Sequence, residues 1–479
     1  MDKNTISGLI LMALVFFAFM WLSPKQEQTA ADPAANEEIQ AAPPATVDSL
    51  SAQEMGWLRA NIAENGTPVR LADGLNAIRV ADDNINLTLA GDSIFGTVTV
   101  NGKTLQWSDV TAADLHKMTA AEQHEAIEAV RQLSTQMGRY GKFARFLKGK
   151  ADDVKLSNDV LDLTLSSKSG MVTRAELKKY DTEYNADETK KTRNKVVIFD
   201  NGTNSFNFTM PLPQPVQTAD LFFTPVQVND STVRMLLDIA PDTYWGFEYT
   251  LPKGDSYLIR MKVVQKNMAK AVQSNNRILT LDWEQKLKRQ EKGRMFEERQ
   301  SGLYYKFAGG SVENLNENKD DSEERQAKVR WIAFKNQFFS TIIIADRAFN
   351  NADFNSTILK GSDYLKDFQT TATVNDYDWN SPNPVNFDLF IGPNSYPLLS
   401  GLDKEVKADE KDLNLTRLIP LGWSIFRWIN TLIIIPVFDF LGSFIHNYGI
   451  IILLLTIFIK IILFPLTYKS YKSQAKMRI

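Results

Sequence analysis

Residues 450–466 form an apolar run interrupted by only two polar side chains, Thr456 and Lys460. At ~1.5 Å per residue such a run, folded as a helix, is long enough to cross most of a ~30 Å hydrocarbon layer. A second run, "ISGLILMALVFFAFMWL" at residues 6–22, carries no charge at all. Few soluble folds can bury two such stretches, so a membrane is the first constraint on the chain. Lys3 precedes the first run and Trp21 stands near its end, where an interfacial aromatic belongs. We read residues 1–22 as an uncleaved anchor rather than a signal peptide. The run is long for a signal peptide, and "SPKQEQ" replaces the expected small-residue cleavage site.

The charges at the far end set the orientation. Lys469, Lys472, Lys476 and Arg478 follow the last run without an acidic residue among them, and such a cluster holds its side in the cytoplasm. The last run therefore crosses from outside to inside and the first from inside to outside. The chain between them faces the outer side of the membrane.

Residues 23–55 have the composition of a disordered, partly extended tether: prolines at 33, 43 and 44 and an excess of Asp and Glu. From about Trp57 the pattern becomes strand-like. "NAIRVADDNINLTLAG", "SIFGTVTVNG", "DVLDLTLSSKSGMVTRAEL", "RILTLDWEQKLKR" and "STIIIAD" are short runs parted by Gly, Asn, Asp and Pro turn signals. Many short strands without crossover helices predict antiparallel sheets packed face to face, a large β-sandwich over residues 56–412. One helical insertion is expected near 112–148, opened by a capping box at Thr119 and Glu122. Residues 413–446 hold a further helix with Leu421, Ile425, Trp428 and Leu432 on one face and Ser424, Arg427 and Thr431 on another. Arg427, Pro436 and Asp439 make a second crossing there costly. An amphipathic helix in the outer interface, turning into a final span at 448–466, fits better. Residues 467–479 begin a basic cytoplasmic segment.

Composition excludes several chemistries. The 479 residues contain no cysteine, which rules out disulfides, thiol nucleophiles and thiolate metal sites. With 54 basic and 57 acidic residues, bulk charge gives no reason to expect a nucleic-acid partner. The three histidines, His116, His124 and His446, match no ligand spacing, and no phosphate-binding loop is present, so no metal or cofactor is expected. Paired carboxylates on a sandwich remain conceivable, because Asp and Glu abound, and a membrane-anchored carbohydrate-binding or glycosidase-like protein is the alternative reading. No residue earns a catalytic label.

Lys460 is the residue that demands a reason. An ionised lysine near the centre of a lone span costs about 2.5–3.5 kcal/mol on insertion scales. It lies roughly 10 Å from the cytoplasmic edge, so its stem can snorkel there and the charge be merely tolerated. Otherwise it faces a wet cavity. Thr456 favours the cavity, since it sits one turn earlier on the same face and makes a short polar stripe.

"LGWSIFRWIN", "NYGIIILLLTIFIKIILFPLTYKSYKSQAKMR", the N-terminal apolar run, "NDVLDLTLSSKSGMVTRAELKKY" and "WIAFKNQFFSTIIIAD" together resemble the YidC membrane protein insertase family. The resemblance implies an N-terminal anchor, a periplasmic β-supersandwich, an interfacial helix and the first of five core spans, in the inner membrane with the N-terminus cytoplasmic. It also implies a non-enzymatic insertase and chaperone. Such a protein inserts and folds nascent integral membrane proteins, alone or with the Sec translocon, through a hydrophilic groove open to cytoplasm and lipid. A groove arginine of the family falls at Lys460, and a threonine one turn before it falls at Thr456. Lysine keeps the charge but lacks the guanidinium fork. In the family the chain continues past "AKMR" with a cytoplasmic hairpin and four more spans, so these residues are expected to be a piece of a longer protein.

Overall fold

The computed structural model of the protein describes residues 49–477 apart from 109–118, 185–193, 201, 273, 362, 407–412 and 423. The expected anchor at 1–22 and the tether up to residue 48 lie outside the described residues.

Helix α1, Ala52–Asn65, opens the fold. Its cap is reciprocal: the Ser51 hydroxyl accepts from the Glu54 N–H at 3.3 Å, and the Glu54 carboxylate accepts from the Ser51 N–H at 2.7 Å. A tether running to residue 55, with strands from Trp57, is therefore corrected to a helix. The Ser-x-x-Glu spacing is legible in the sequence, but the apolar stripe behind it is thin: only Leu58 and Ile62 are buried. They pack on helix α2, Ala120–Tyr140, whose inner stripe is Ala126, Ile127, Val130, Leu133 and Met137. Arg131 reaches Glu54 at 2.8 Å and Asn61 donates to the Ser134 carbonyl at 2.9 Å, fixing the helix pair.

Against the helices lies an antiparallel meander in sequential order: Thr67–Arg70, Asn76–Ala81, Ile85–Ala90, Ser93–Val100 and Lys103–Ser108. Its Ile85, Leu87, Leu89, Ile94, Val98 and Trp107 complete a hydrophobic cluster separate from the main core. Gly96 cannot be replaced there, because a Cβ would stand 1.8 Å from the Asn86 carbonyl oxygen.

The sandwich expected over 56–412 is corrected at its start: the meander and helices before it keep their own core, and the face-to-face sheets form from Asp153 onward. A nine-stranded antiparallel sheet runs, in spatial order, Thr224–Asn229, Thr232–Ala240, Thr243–Thr250, Leu258–Lys266, Asn386–Pro393, Phe339–Phe349, Val329–Lys335, Gly302–Phe307 and Val312–Asn314. A six-stranded sheet faces it, centred on Leu279–Lys288 and Tyr364–Val374. A four-stranded sheet from Asp153 to Phe199 joins the same core. Leu279–Lys288 alternates strictly between buried and half-buried residues, as its period-two sequence predicts.

Aromatic rings bridge the two large sheets. Trp283 stacks on Phe334 with centroids 3.7 Å apart, Tyr305 on Phe354 at 4.3 Å, and Phe208 lies between Phe247 and Phe387 at 5.6 and 5.5 Å. Each large ring contributes burial plus about 0.5–1.5 kcal/mol of pair geometry. Phe339–Phe349 is instead buried on both faces over its first seven residues. The reason is a cover on its outer side: helix Tyr396–Glu405 and the turn Leu415–Leu418 bring Leu399, Leu402, Leu415 and Leu418 into the core. Trp331 pins that cover by donating its indole N–H to the Leu413 carbonyl at 2.7 Å.

Three charged side chains are buried at one end of the sandwich. The Lys366 ammonium donates to the Ser301 and Glu317 carbonyls at 2.6 and 2.7 Å, and Lys335 to the Gln300 carbonyl. Glu297 accepts from the Gln290 N–H, the Glu291 N–H and the Asn336 amide at 2.9, 3.0 and 2.9 Å. Burial lowers the Lys366 pKa to about 8, and raises that of Glu297.

Two outcomes follow from this packing. Trp283→Ala removes the central stack and should cost about 3–5 kcal/mol, read as a lower denaturant midpoint. Between pH 8 and the ordinary lysine value of 10.5 the unfolded chain holds a proton at residue 366 that the folded chain has released. Stability at this site therefore rises with pH across that window. The rise should be present in native protein and absent from Lys366→Met when thermal melts of the two are subtracted.

Candidate functional site

The C-terminal part of the chain is two helical stretches joined by a tight turn. The first begins as Ser424–Ile429, widens to a π-helical turn at Asn430–Ile434, and returns to α-helix at Ile435–Gly442. The widened turn has a local cause: Pro436 has no N–H and its ring crowds the carbonyl four residues back, which a π turn accommodates. Nothing in the apolar periodicity signals this register shift, though Pro436 marks where to look.

The polar face of this helix is turned to the segment before it. The Asn430 amide donates to the Leu421 carbonyl at 3.0 Å, and the Arg427 guanidinium lies 3.5 Å from the carbonyl oxygens of Thr416 and Ile419. Its other face carries Ile425, Phe426, Trp428 and Leu432, all exposed. The grouping of Ile425, Trp428 and Leu432 against Arg427 and Thr431 agrees with the reading from sequence, but Leu421, expected on the apolar face, precedes the helix and its carbonyl meets Asn430 on the polar face. The stretch Ile425–Gly442 is also long and apolar enough to cross a membrane, by length and composition.

Phe438 and Tyr448 stack with ring planes 7° apart, holding the turn. Asn447 then caps the final helix, Tyr448–Met477, accepting from the Gly449 N–H at 2.9 Å. This helix contains Pro465 and runs uninterrupted through it. Ile451 is buried, while Ile452, Leu453, Ile457, Ile461, Leu463 and Phe464 are exposed. Its window Tyr448–Pro465 is the second stretch able to span a bilayer. Exposed apolar side chains all round one long helix have no stable place in water; lipid or further helices must cover them.

Thr456 and Lys460 stand on this helix one turn apart, and both are exposed. The Thr456 hydroxyl donates to the Ile452 carbonyl at 2.7 Å. Its hydrogen is therefore committed to the backbone, and it offers only oxygen lone pairs outward. Lys460 can donate three hydrogen bonds and accept none. The pair makes a short acceptor-then-donor stripe on a helix that is otherwise apolar over its first seventeen residues.

A concavity lies in the β-domain. The solvent face of the six-stranded sheet forms an open groove of about 660 Å³ lined by Asp282, Glu284, Glu324 and Asp353 with Asn, Ser and Thr between them. Asp282 is held by the Thr371 and Thr209 hydroxyls at 2.9 and 3.4 Å. The carboxylates alternate with short polar residues along adjacent strands, as on an ordinary solvated sheet face.

Residues 153–435 match the family described as YidC periplasmic domain, and residues 440–479 match the family described as 60Kd inner membrane protein. The membrane protein insertase YidC of Parabacteroides distasonis is 38% identical over 484 residues, an alignment covering 100% of this chain and 65% of that relative. The protein of the same name from Porphyromonas gingivalis strain W83 is 30% identical over 485 residues, with the same shares. The chain thus spans 65% of the length of these two relatives. Among solved structures, a galactose mutarotase related enzyme from Lactobacillus acidophilus aligns with 55% of this chain and 100% of its own at 10% identity and a TM-score of 0.29, a likeness too faint to bear on chemistry. With more than half of its residues inside the periplasmic-domain match and its last helix inside the second, the chain belongs to the YidC family.

Proposed function

We propose that this chain is the outer domain and first core span of a non-enzymatic insertase and chaperone for integral membrane proteins, acting alone or with the Sec translocon. The observation that carries the reading is the Thr456–Lys460 stripe on an otherwise apolar helix. A simple anchor gains nothing from a lysine at that depth, whereas a groove needs one. In the intact protein further spans close around this face, keep it hydrated from the cytoplasm and leave one side open to lipid. A polar stripe facing lipid alone would be unstable.

The chemistry is electrostatic. A substrate segment bound for the outer side carries acidic and hydrophilic groups that lose hydration on entering the bilayer. An ammonium in a water-containing groove offsets part of that loss, while the apolar segment that follows slides into lipid. Thr456 supplies acceptor lone pairs beside the cation and keeps water at that level. Because lysine is a point charge, it attracts a carboxylate without imposing two-point geometry, so the contact is permissive toward sequence.

The topology belongs to the same reading. The anchor at 1–22 enters with its N-terminus cytoplasmic, the β-domain is periplasmic, Ser424–Gly442 lies along the outer interface, and Tyr448–Pro465 returns the chain to the cytoplasm in the inner membrane. The basic cluster after Tyr468 and the polar face that Arg427 and Asn430 turn to the domain support it.

In the full-length protein, Lys460→Ala should slow insertion of a substrate with an acidic translocated tail by roughly tenfold or more, the size of one lost charge-assisted contact. Lys460→Arg should retain activity. A protease-protection assay in proteoliposomes reads both, and unimpaired insertion by Lys460→Ala would remove the proposed role.

A further inference from the structure

The loop at 289–301 holds two apolar side chains out into solvent with unusual firmness. Met295 and Phe296 are 66% and 62% exposed, on the short helix Arg294–Arg299. Beneath them Glu297 is fully buried and takes three hydrogen bonds, including the Asn336 amide at 2.9 Å. The Ser301 hydroxyl donates to the Glu297 carbonyl at 2.7 Å, Arg294 donates to the Tyr364 carbonyl at 3.1 Å, and Lys366 and Lys335 hold the Ser301 and Gln300 carbonyls. A loop anchored by that many buried bonds is not free to fold its apolar tip inward.

A third exposed apolar side chain belongs to the same end. Asn336 begins the turn that presents Phe338, itself 48% exposed. Asn394 ties this turn to the chain's exit from the sandwich: its N–H donates to the Phe338 carbonyl at 2.7 Å, and its amide to the Asn336 carbonyl at 3.1 Å. Two residues later Tyr396 starts the covering helix, whose Asp403 accepts from the Leu415 N–H at 3.1 Å, and the carbonyl of the next residue, Thr416, lies 3.5 Å from Arg427 on the amphipathic helix. Thus the end bearing Met295, Phe296 and Phe338 is continuous with the start of the helix that carries the exposed Ile425, Phe426 and Trp428. Exposed Lys292, which lies 4.0 Å from Glu183, and exposed Arg299 flank the pair, while Glu298 is engaged by Arg294 at 3.4 Å. Apolar tips framed by cations are the composition that settles at a headgroup boundary.

We propose that this end of the β-domain rests on the bilayer, with Met295, Phe296 and Phe338 dipping into the headgroup layer beside the amphipathic helix. The domain is then seated at two points, which fixes its orientation over the membrane instead of letting it swing on its C-terminal connection. The contact requires only that residues 425–465 are in a membrane, so it stands or falls separately from the insertase reading.

The absence of cysteine from residues 1–479 makes the test clean. Phe296→Cys and Phe338→Cys, in the full-length protein otherwise free of cysteine, are labelled with an environment-sensitive fluorophore and placed in lipid nanodiscs containing some anionic lipid. Ile278→Cys is the control: it is exposed too, but stands at the far end of strand Leu279–Lys288, about 30 Å away at ~3.3 Å per residue. In the same nanodiscs, labels at 296 and 338 should emit at shorter wavelength than the label at 278 and dim by roughly half when headgroup-proximal spin-labelled lipid is included. The label at 278 should not dim. Unquenched labels at both 296 and 338, or equal quenching at 278, would overturn the contact.

Discussion

A helix that leaves its apolar side chains uncovered fixes where the protein must live. From Ile452 to Phe464 the final helix presents isoleucine, leucine and phenylalanine to its surroundings, and the described residues supply almost nothing to cover them. At about 25 cal/mol per Å² of apolar surface, leaving such a helix in water is untenable, and the bilayer becomes part of the fold. Every other feature is arranged around that requirement. The Asn447 cap and the Phe438–Tyr448 stack start the helix cleanly at the turn, and the amphipathic stretch before it divides its faces between protein carbonyls and exposed aromatics. Within so apolar a setting a lysine and a threonine one turn apart stand out, and they are the residues for which we propose a role in substrate passage.

The β-domain shows the complementary strategy. Its core is dry and aromatic, with rings from both sheets interleaved, while Glu297, Lys335 and Lys366 are buried together at one end and bonded to backbone groups. Buried charges are poor sources of net stability, but they fix loops in one geometry because any other leaves an ion unpaired. Here the fixed loops are those that display Met295, Phe296 and Phe338. Stiffness at that end, rather than binding chemistry in the open acidic groove, is what the packing expresses most clearly.

The parts of this fold with a strong period were legible in the sequence. Alternation in "RILTLDWEQKLKR" gave a strand with the predicted inward and outward sides, the Thr119–Glu122 box marked the start of α2, and the two-faced pattern around Arg427 was real. What stayed hidden had physical reasons. Helix α1 buries only Leu58 and Ile62, too sparse a stripe to outweigh strand-like neighbours, even with its cap in plain view. The double-sided burial of Phe339–Phe349 depends on residues sixty positions later folding back over it. The π turn at Asn430–Ile434 is a register adjustment that side-chain pattern does not encode. Thr456 and Lys460 were visible because polarity inside a span is costly, whereas the committed hydroxyl of Thr456 needed coordinates.

Water contact at residue 460 is the most direct measure of whether the lysine faces a hydrated groove. Lys460→Cys and Ile462→Cys, the latter on the opposite side of the helix, can be compared in the intact protein in membranes using a charged, membrane-impermeant thiol reagent. Rapid labelling at 460 with protection at 462 is the result that a wet face predicts. Protection of both positions would mean that the ammonium of Lys460 simply bends back to the headgroups, and the groove would lose its foundation.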